Sequence, residues 1–174
     1  MKHITFSTDT GTPTREDKDA SSALSESFFH TSENPDQLQI DEENKRFIMG
    51  HLTDYDTIIK EGSRVIGFTF CFPASYKDAQ AFVDKKLSER ALFDKVKSMH
   101  KPFTDEALYL CATVIAPEYR GRALSYFGFQ RTFKKLGISR ERTVLVAWPF
   151  SDEIRRGAEL FVKRTGYQLW TREA

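Results

Sequence analysis

The sequence predicts an α/β fold, and three stretches carry that prediction. Leu108 to Ala116 is an apolar run rich in β-branched residues that stops at Pro117, as a buried strand does. A turn with Arg120, Gly121 and Arg122 follows. Then comes a helical pattern with Tyr126, Phe129, Phe133 and Leu136 spaced three, four and three apart. Arg64 to Pro73 (RVIGFTFCFP) is a second strong strand. Arg142 to Trp148 (RTVLVAW) is a third, and amphipathic segments separate the three.

Taken in order, His3 to Thr8 alternates and reads as a first strand, and Asp9 to Thr14 as a loop. Ala20, Leu24 and Phe28 recur every four residues, which predicts a helix over Arg15 to Phe29, broken across His30 to Pro35. A second helix is expected over Asp41 to Leu52, with Phe47, Ile48 and Leu52 inward. Its acidic start (Asp41, Glu42, Glu43) suits the helix dipole. Thr57 to Glu61 and Arg64 to Pro73 form a hairpin around Glu61-Gly62-Ser63. Gly67 marks a bulge or a close contact. Ala74 to Lys101 is charged and helical, with Phe82, Leu87, Leu92, Phe93 and Val96 as a broken apolar stripe. After Pro149, Ser151 is a good N-cap with Asp152 and Glu153 in the first turn. That helix runs to about Arg164, Gly166 caps it, and Tyr167 to Trp170 is a last strand.

The 174 residues suit one domain with a sizeable core. A content of 40% hydrophobic and 29% charged residues is that of a soluble globular chain, and no apolar run of about 18 residues suggests a membrane span. The start MKHITFSTDTG lacks the apolar block of a signal peptide. Cys71 and Cys111 both fall in predicted strands and read as small buried hydrophobes, with no metal site. A cytoplasmic location is expected. Charge is uneven. Residues 1–60 carry 12 acidic and 6 basic side chains, and residues 61–174 carry 13 and 20. A basic second half suits an anionic ligand, nucleic acid, or simply an uneven surface. No recognition-helix, zinc-finger or RNP-type pattern supports nucleic acid.

Strand, basic glycine turn and helix together can hold phosphate. The first helical amides lack partners, the dipole favours an anion, and arginines add charge-assisted donors. The alternative is an ordinary βα turn with solvated arginines. Residues Ile115-Ala116-Pro117-Glu118-Tyr119 followed by Arg120-Gly121-Arg122-Ala123-Leu124-Ser125 resemble motif A of the GNAT-type N-acetyltransferases. Ala123 stands where that family has its first motif glycine, and Ser125 where it has Gly or Ala. Ala158, Phe161, Lys163, Gly166 and Tyr167 are similar to its motif B. The resemblance covers about residues 57–174, and the first 56 match by element order.

The resemblance implies a mixed, strongly twisted central sheet flanked by helices, open in the middle. Residues 1–56 would supply a strand and acceptor-side helices, and residues 57–174 a cofactor-binding core. It implies transfer of an acetyl group from acetyl-CoA to a primary amine by direct attack, with no metal. The diphosphate would rest on Arg120, Gly121, Arg122, Ala123, Leu124 and Ser125. The pantetheine arm would pair with Thr113, Val114 and Ile115, and the Ile115 amide would face the thioester carbonyl. Glu106 and Tyr109 are the candidates for proton transfer, each also readable as a structural residue. Tyr126, Trp148 and Phe150 could line the site or only pack. Ala74 to Lys101 is either a cover over the acceptor side or an extra packed helix. Where the family has a general-acid tyrosine, this chain has Val162 with Phe161 beside it, and neither donates a proton. A coenzyme A-binding module without turnover is therefore the alternative. The acceptor is not legible, and a homodimer is left open.

Overall fold

A computed structural model describes residues 3–29 and 34–173, with the backbone alone at Phe29. Six strands form one sheet in chain order: β1 (Ile4–Phe6), β2 (Asp56–Glu61), β3 (Arg64–Ala74), β4 (Ala107–Ile115), β5 (Val144–Ala147) and β6 (Gln168–Thr171). β2 pairs antiparallel with β1 and β3, whereas β5 pairs parallel with β4 and β6, so the sheet is mixed. Seven α-helices occur among the described residues: α1 (Ser7–Thr10), α2 (Arg15–Phe29), α3 (Glu42–His51), α4 (Tyr76–Val83), α5 (Glu89–Ser98), α6 (Leu124–Leu136) and α7 (Asp152–Thr165). None is long and apolar enough to cross a membrane. The chain divides into two compact units. The first is Met1–Asn34, Gln39–Phe70 and Ala112–Gly137, and the second is Pro35–Leu38, Cys71–Cys111 and Ile138–Ala174.

In the first unit the expected strand His3 to Thr8 is shorter. Ser7 and Thr8 enter α1, because their hydroxyl neighbours offer the backbone other partners. The Ser7 hydroxyl accepts from the Ile58 amide at 2.9 Å, and Thr10 Oγ1 donates to the Phe6 carbonyl at 3.2 Å. α2 has the expected bounds. Thr14 caps it reciprocally: Asp17 N donates to Thr14 Oγ1, and Thr14 N donates to Asp17 Oδ2, both at 3.1 Å. The break after it falls, from His30 to Glu33, outside the described residues. Asp41 caps α3 by accepting from Asn44 N at 2.8 Å, and Ile48 and Leu52 are buried.

The hairpin closes through Gly62, whose φ of 61° the turn requires. Ile59 faces Gly67 and Lys60 faces Val65, so Ile66 is a one-residue bulge. Phe6, Ile59, Ile66, Ala116, Tyr119 and Leu124 form a core cluster, with Ile4 and Ile115 against it.

The second unit is built on α4, α5, α7 and the parallel strands. The stretch Ala74 to Lys101 is two helices, not one. Lys85 takes a left-handed φ of 61°, and Ser88 restarts the helix by accepting from Ala91 N at 3.1 Å. Phe82, Leu92, Phe93 and Val96 from this segment are buried with Phe72, Tyr109 and Leu145. The Phe72 ring meets those of Phe93 and Tyr109 edge-on at 5.2 and 5.1 Å. β5 is shorter than expected and ends at Ala147. α7 begins and ends as the sequence predicts. Ser151 accepts from Ile154 N at 3.3 Å, and Gly166, at φ 80°, donates its amide to the Val162 carbonyl at 2.7 Å.

Candidate functional site

The end of β4, from Ala112, the turn after it and α6 lie in the first unit. After Ile115 the chain makes a short 3-10 turn over Pro117–Tyr119, then Arg120, Gly121 and Arg122 lead to Ala123 at the N-cap of α6. Ala123 has left-handed backbone angles (φ 55°, ψ 26°), and no side chain caps the helix. By contrast, Thr14, Asp41, Ser75, Ser88 and Ser151 each accept a hydrogen bond from an amide in the first turn of their helices. The first intrahelical bond of α6 runs from Phe127 N to Ala123 O at 3.1 Å. The amides of Leu124 and Ser125 therefore have no partner within the helix. Gly121 is also left-handed (φ 77°), and the space a Cβ would take there is open. Such a start, with bare amides and two arginines beside it, has the chemistry to hold an anion.

Both arginines rest on neighbouring groups. Arg120 Nε donates to the Ile115 carbonyl at 3.2 Å, and its guanidinium lies 5.1 Å from the Phe28 ring centre. The Arg122 guanidinium lies 5.1 Å from the ring centre of Tyr119, whose hydroxyl donates to Glu61 Oε2 at 2.8 Å. That hydrogen bond, with burial, raises the Tyr119 pKa above the ordinary tyrosine range.

Thr113, Val114 and Ile115 precede this turn. β5 matches β4 over three pairs only, Ala107↔Val144 to Tyr109↔Val146, so these three residues lie outside that ladder. Thr113 Oγ1 is enclosed and has no hydrogen-bond partner, an orphan polar atom that a ligand amide would satisfy. The end of β4 is held tightly. A Cβ on Gly67 would come within 2.6 Å of the Val114 carbonyl and 2.7 Å of Ile115 Cδ1, and the Ala116 amide donates to the Ile66 carbonyl at 2.9 Å. Of the bulge or close contact that the sequence places at Gly67, the close contact is there, and the bulge falls one residue earlier, at Ile66 on β3.

The proton-transfer candidates lie in the second unit. Glu106 is exposed, and its Oε2 accepts from Tyr76 N, the first amide of α4, at 2.9 Å. Tyr109 is buried, and its hydroxyl donates to Glu89 Oε1 at 2.6 Å. The same carboxylate accepts from Leu38 N at 2.6 Å and from Cys111 Sγ at 3.6 Å. Burial raises the Glu89 pKa, and these hydrogen bonds and the charge of Arg172 oppose it. Burial first, and then the Glu89 charge, push Tyr109 and Cys111 well above their ordinary ranges. Cys71 is raised by burial alone. Glu89 is absent from the sequence argument, since a glutamate at the first position of a helix reads as a solvated dipole partner.

Tyr126 Oη accepts from Gln130 Nε2 at 2.8 Å, and the Trp148 and Phe150 rings pack at 4.7 Å. His51 stacks against Phe47 at 4.9 Å. His30 lies outside the described residues.

No protein-family model and no curated protein sequence matches the chain. Solved structures do. Diaminobutyrate acetyltransferase EctA from Paenibacillus lautus, in complex with its substrate L-2,4-diaminobutyric acid and coenzyme A, aligns with a TM-score of 0.52 at 11% identity. That alignment covers 95% of this chain and 76% of EctA. AAC(6')-Iy, in complex with the bisubstrate analogue CoA-S-monomethyl-acetylneamine, aligns with a TM-score of 0.50 at 12% identity, covering 95% and 91%. With its mixed six-stranded sheet and flanking helices, the chain has the fold of the GNAT N-acetyltransferases.

Proposed function

We propose that this protein is a coenzyme A-dependent N-acyltransferase that moves an acetyl group from acetyl-CoA to a primary amine. The observation that carries the reading is the uncapped start of α6, with Arg120 and Arg122 beside it. The amides of Leu124 and Ser125 hold the diphosphate, and both arginines turn from their present partners to add charge. Thr113 Oγ1 and the backbone of Thr113 to Ile115 meet the pantetheine amides. Acetyl-CoA supplies the thioester carbonyl, and the Ile115 amide donates to its oxygen as negative charge develops. Of the two proton-transfer candidates, Glu106 is the one solvent reaches, so removal of the amine proton falls to it. Tyr109 is buried, and its hydroxyl is already committed to a hydrogen bond with Glu89. With Val162 and Phe161 unable to donate, the thiolate leaves unassisted, which a thiol pKa of about 8.5 permits. The solved neighbours support the reading, since both were captured with coenzyme A or a molecule joined to it.

A second reading, binding without turnover, is favoured by the same valine. Thermal denaturation with acetyl-CoA, followed by an amine panel read out as free thiol, separates the two. Binding raises the melting temperature with the logarithm of ligand concentration. Thiol release with at least one amine supports transfer, and Glu106→Gln should then lower kcat about a hundredfold or more. A melting-temperature rise with no thiol from any amine supports the binding module. No rise at all removes both.

A further inference from the structure

β6 ends the sheet: among the described residues it pairs with β5 alone. The Arg172 amide donates to the Ala147 carbonyl at 2.9 Å, which fixes the way the backbone faces. Along a strand the backbone groups of successive residues point to alternate sides. Gln168, Trp170 and Arg172 therefore turn theirs toward β5. Leu169 and Thr171 turn theirs outward, with Tyr167 in the same phase. The outward amides and carbonyls of Leu169 and Thr171 have no backbone partner among the described residues. An edge that must stay solitary is guarded by charges, a proline or a bulge, and Gln168–Thr171 (QLWT) has none of these. Trp170 is only half-buried, and its ring lies 5.8 Å from that of Tyr76, itself 44% exposed.

This outer row is complementary to itself. A second β6 laid antiparallel, with Leu169 opposite Leu169, sets each outward amide against an outward carbonyl. Leu169 then exchanges both bonds with its own copy, and Thr171 does so with Tyr167. The faces match as well: Leu169 meets Leu169 on one face, and Gln168 meets Trp170 on the other. Charge favours the same arrangement. Beyond the end of β6, Glu173 has a side chain 68% exposed and holds Arg155 of α7 at 3.1 and 3.0 Å. The acidic first turn of α7, with Asp152 and Glu153, lies at that end. The start of β6 is basic. A Cβ on Gly166 would come 3.4 Å from Arg140 Nη1, and the last turn of α7 carries Lys163 and Arg164. Antiparallel pairing sets the acidic end of each strand against the basic end of the other, twice by symmetry.

We infer that β6 is the interface of a two-fold symmetric homodimer, in which two copies of this chain join edge to edge into one continuous sheet. Every residue the interface uses lies in the second unit, and none has a role in the proposed acetyl transfer, so the inference stands apart from the transferase reading. The pairing uses the same strand of both copies, so assembly through this edge stops at two.

The test is sedimentation velocity of the full chain across the micromolar range, joined to hydrogen exchange. The chain should sediment at twice the monomer mass. Exchange at the Leu169 and Thr171 amides should slow as protein concentration rises, while the inward Trp170 amide stays protected throughout. Leu169→Pro removes the central outward amide and no bond to β5, so it should give a monomer with unchanged far-UV circular dichroism. Glu173→Arg should weaken the dimer about tenfold or more, and adding Arg140→Glu should recover the loss. The exchange of the unmutated chain decides the matter even where Leu169→Pro does not fold. A monomer at every concentration overturns the inference. So does a dimer that Leu169→Pro leaves intact, or a Leu169 amide whose exchange ignores concentration. The amine panel tests acetyl transfer separately, and neither result moves the other.

Discussion

Ala123 is the residue at which the candidate phosphate turn carries strain. Its φ of 55° is a conformation that costs a non-glycine residue about 1–2 kcal/mol. Glycine there would relieve that cost but lose about 0.4–1 kcal/mol through a freer unfolded chain. Ala123→Gly should therefore stabilise the protein by up to about 1 kcal/mol, a rise of about 2–4 °C in melting temperature. A fall would show that the alanine methyl makes a contact worth more than the strain. Glu89 is a second residue with a measurable signature. Its pKa is raised in the folded state, so the folded chain binds a proton over a pH range where the unfolded chain does not. Its contribution is thus greatest at or below the ordinary glutamate range and is lost as pH rises through the raised value. Glu89→Gln should flatten that part of the stability–pH profile, and denaturant titrations from pH 4 to pH 8 check it. An unchanged slope would mean that Glu89 is not the group responsible. Ala123 is marked in the sequence as standing where the resembled motif has a glycine, but its left-handed angle shows only in the structure. Glu89 could not be singled out, because its partners, Leu38 and Tyr109, lie 51 and 20 positions away.

At the scale of elements, close backbone approach fixes the end of β4. Gly67→Ala would put a methyl against a backbone carbonyl, which cannot rotate aside as a side chain can. The expected cost is about 1–3 kcal/mol, read as a lower denaturation midpoint with unchanged m-value. A neutral result would mean that β3 and β4 shift apart freely. α6 is seated by similar means. A Cβ on Gly128 would come 2.9 Å from the Thr69 side chain, and the Thr57 and Thr132 hydroxyls meet at 2.7 Å. The elements the sequence shows best have their stop and start signals in side chains. α2 has Thr14 and Asp17, and α7 has Ser151 and Gly166. The ones it blurs depend on backbone choices that side chains do not announce. α1 forms where alternation suggests strand, and Lys85 breaks a helical stretch by adopting a left-handed angle that its identity does not demand. The resemblance in β4 and α6 is legible because bare amides need small neighbours and cations nearby, and both needs are visible in residue types.

At the scale of the molecule, the fold is shared with solved acetyltransferases at 11% and 12% identity. What is common at that distance is the order of strands and helices, which periodicity and turn residues specify with little regard to exact side chains. The basic excess of residues 61–174, 20 basic against 13 acidic, suits a polyanionic ligand and would give its binding a salt dependence. The central claim is that this ligand's diphosphate lies on the first amides of α6. Ser125→Asp tests it by setting two effects against each other. A carboxylate in the first turn favours the helix dipole, by about 0.3–1 kcal/mol, but repels a diphosphate at the same amides. Calorimetric titration of acetyl-CoA into this variant should show affinity lowered about tenfold or more, with the melting temperature of the free protein unchanged or raised. Equal affinity in the two proteins would contradict the account, because the phosphates would then lie elsewhere.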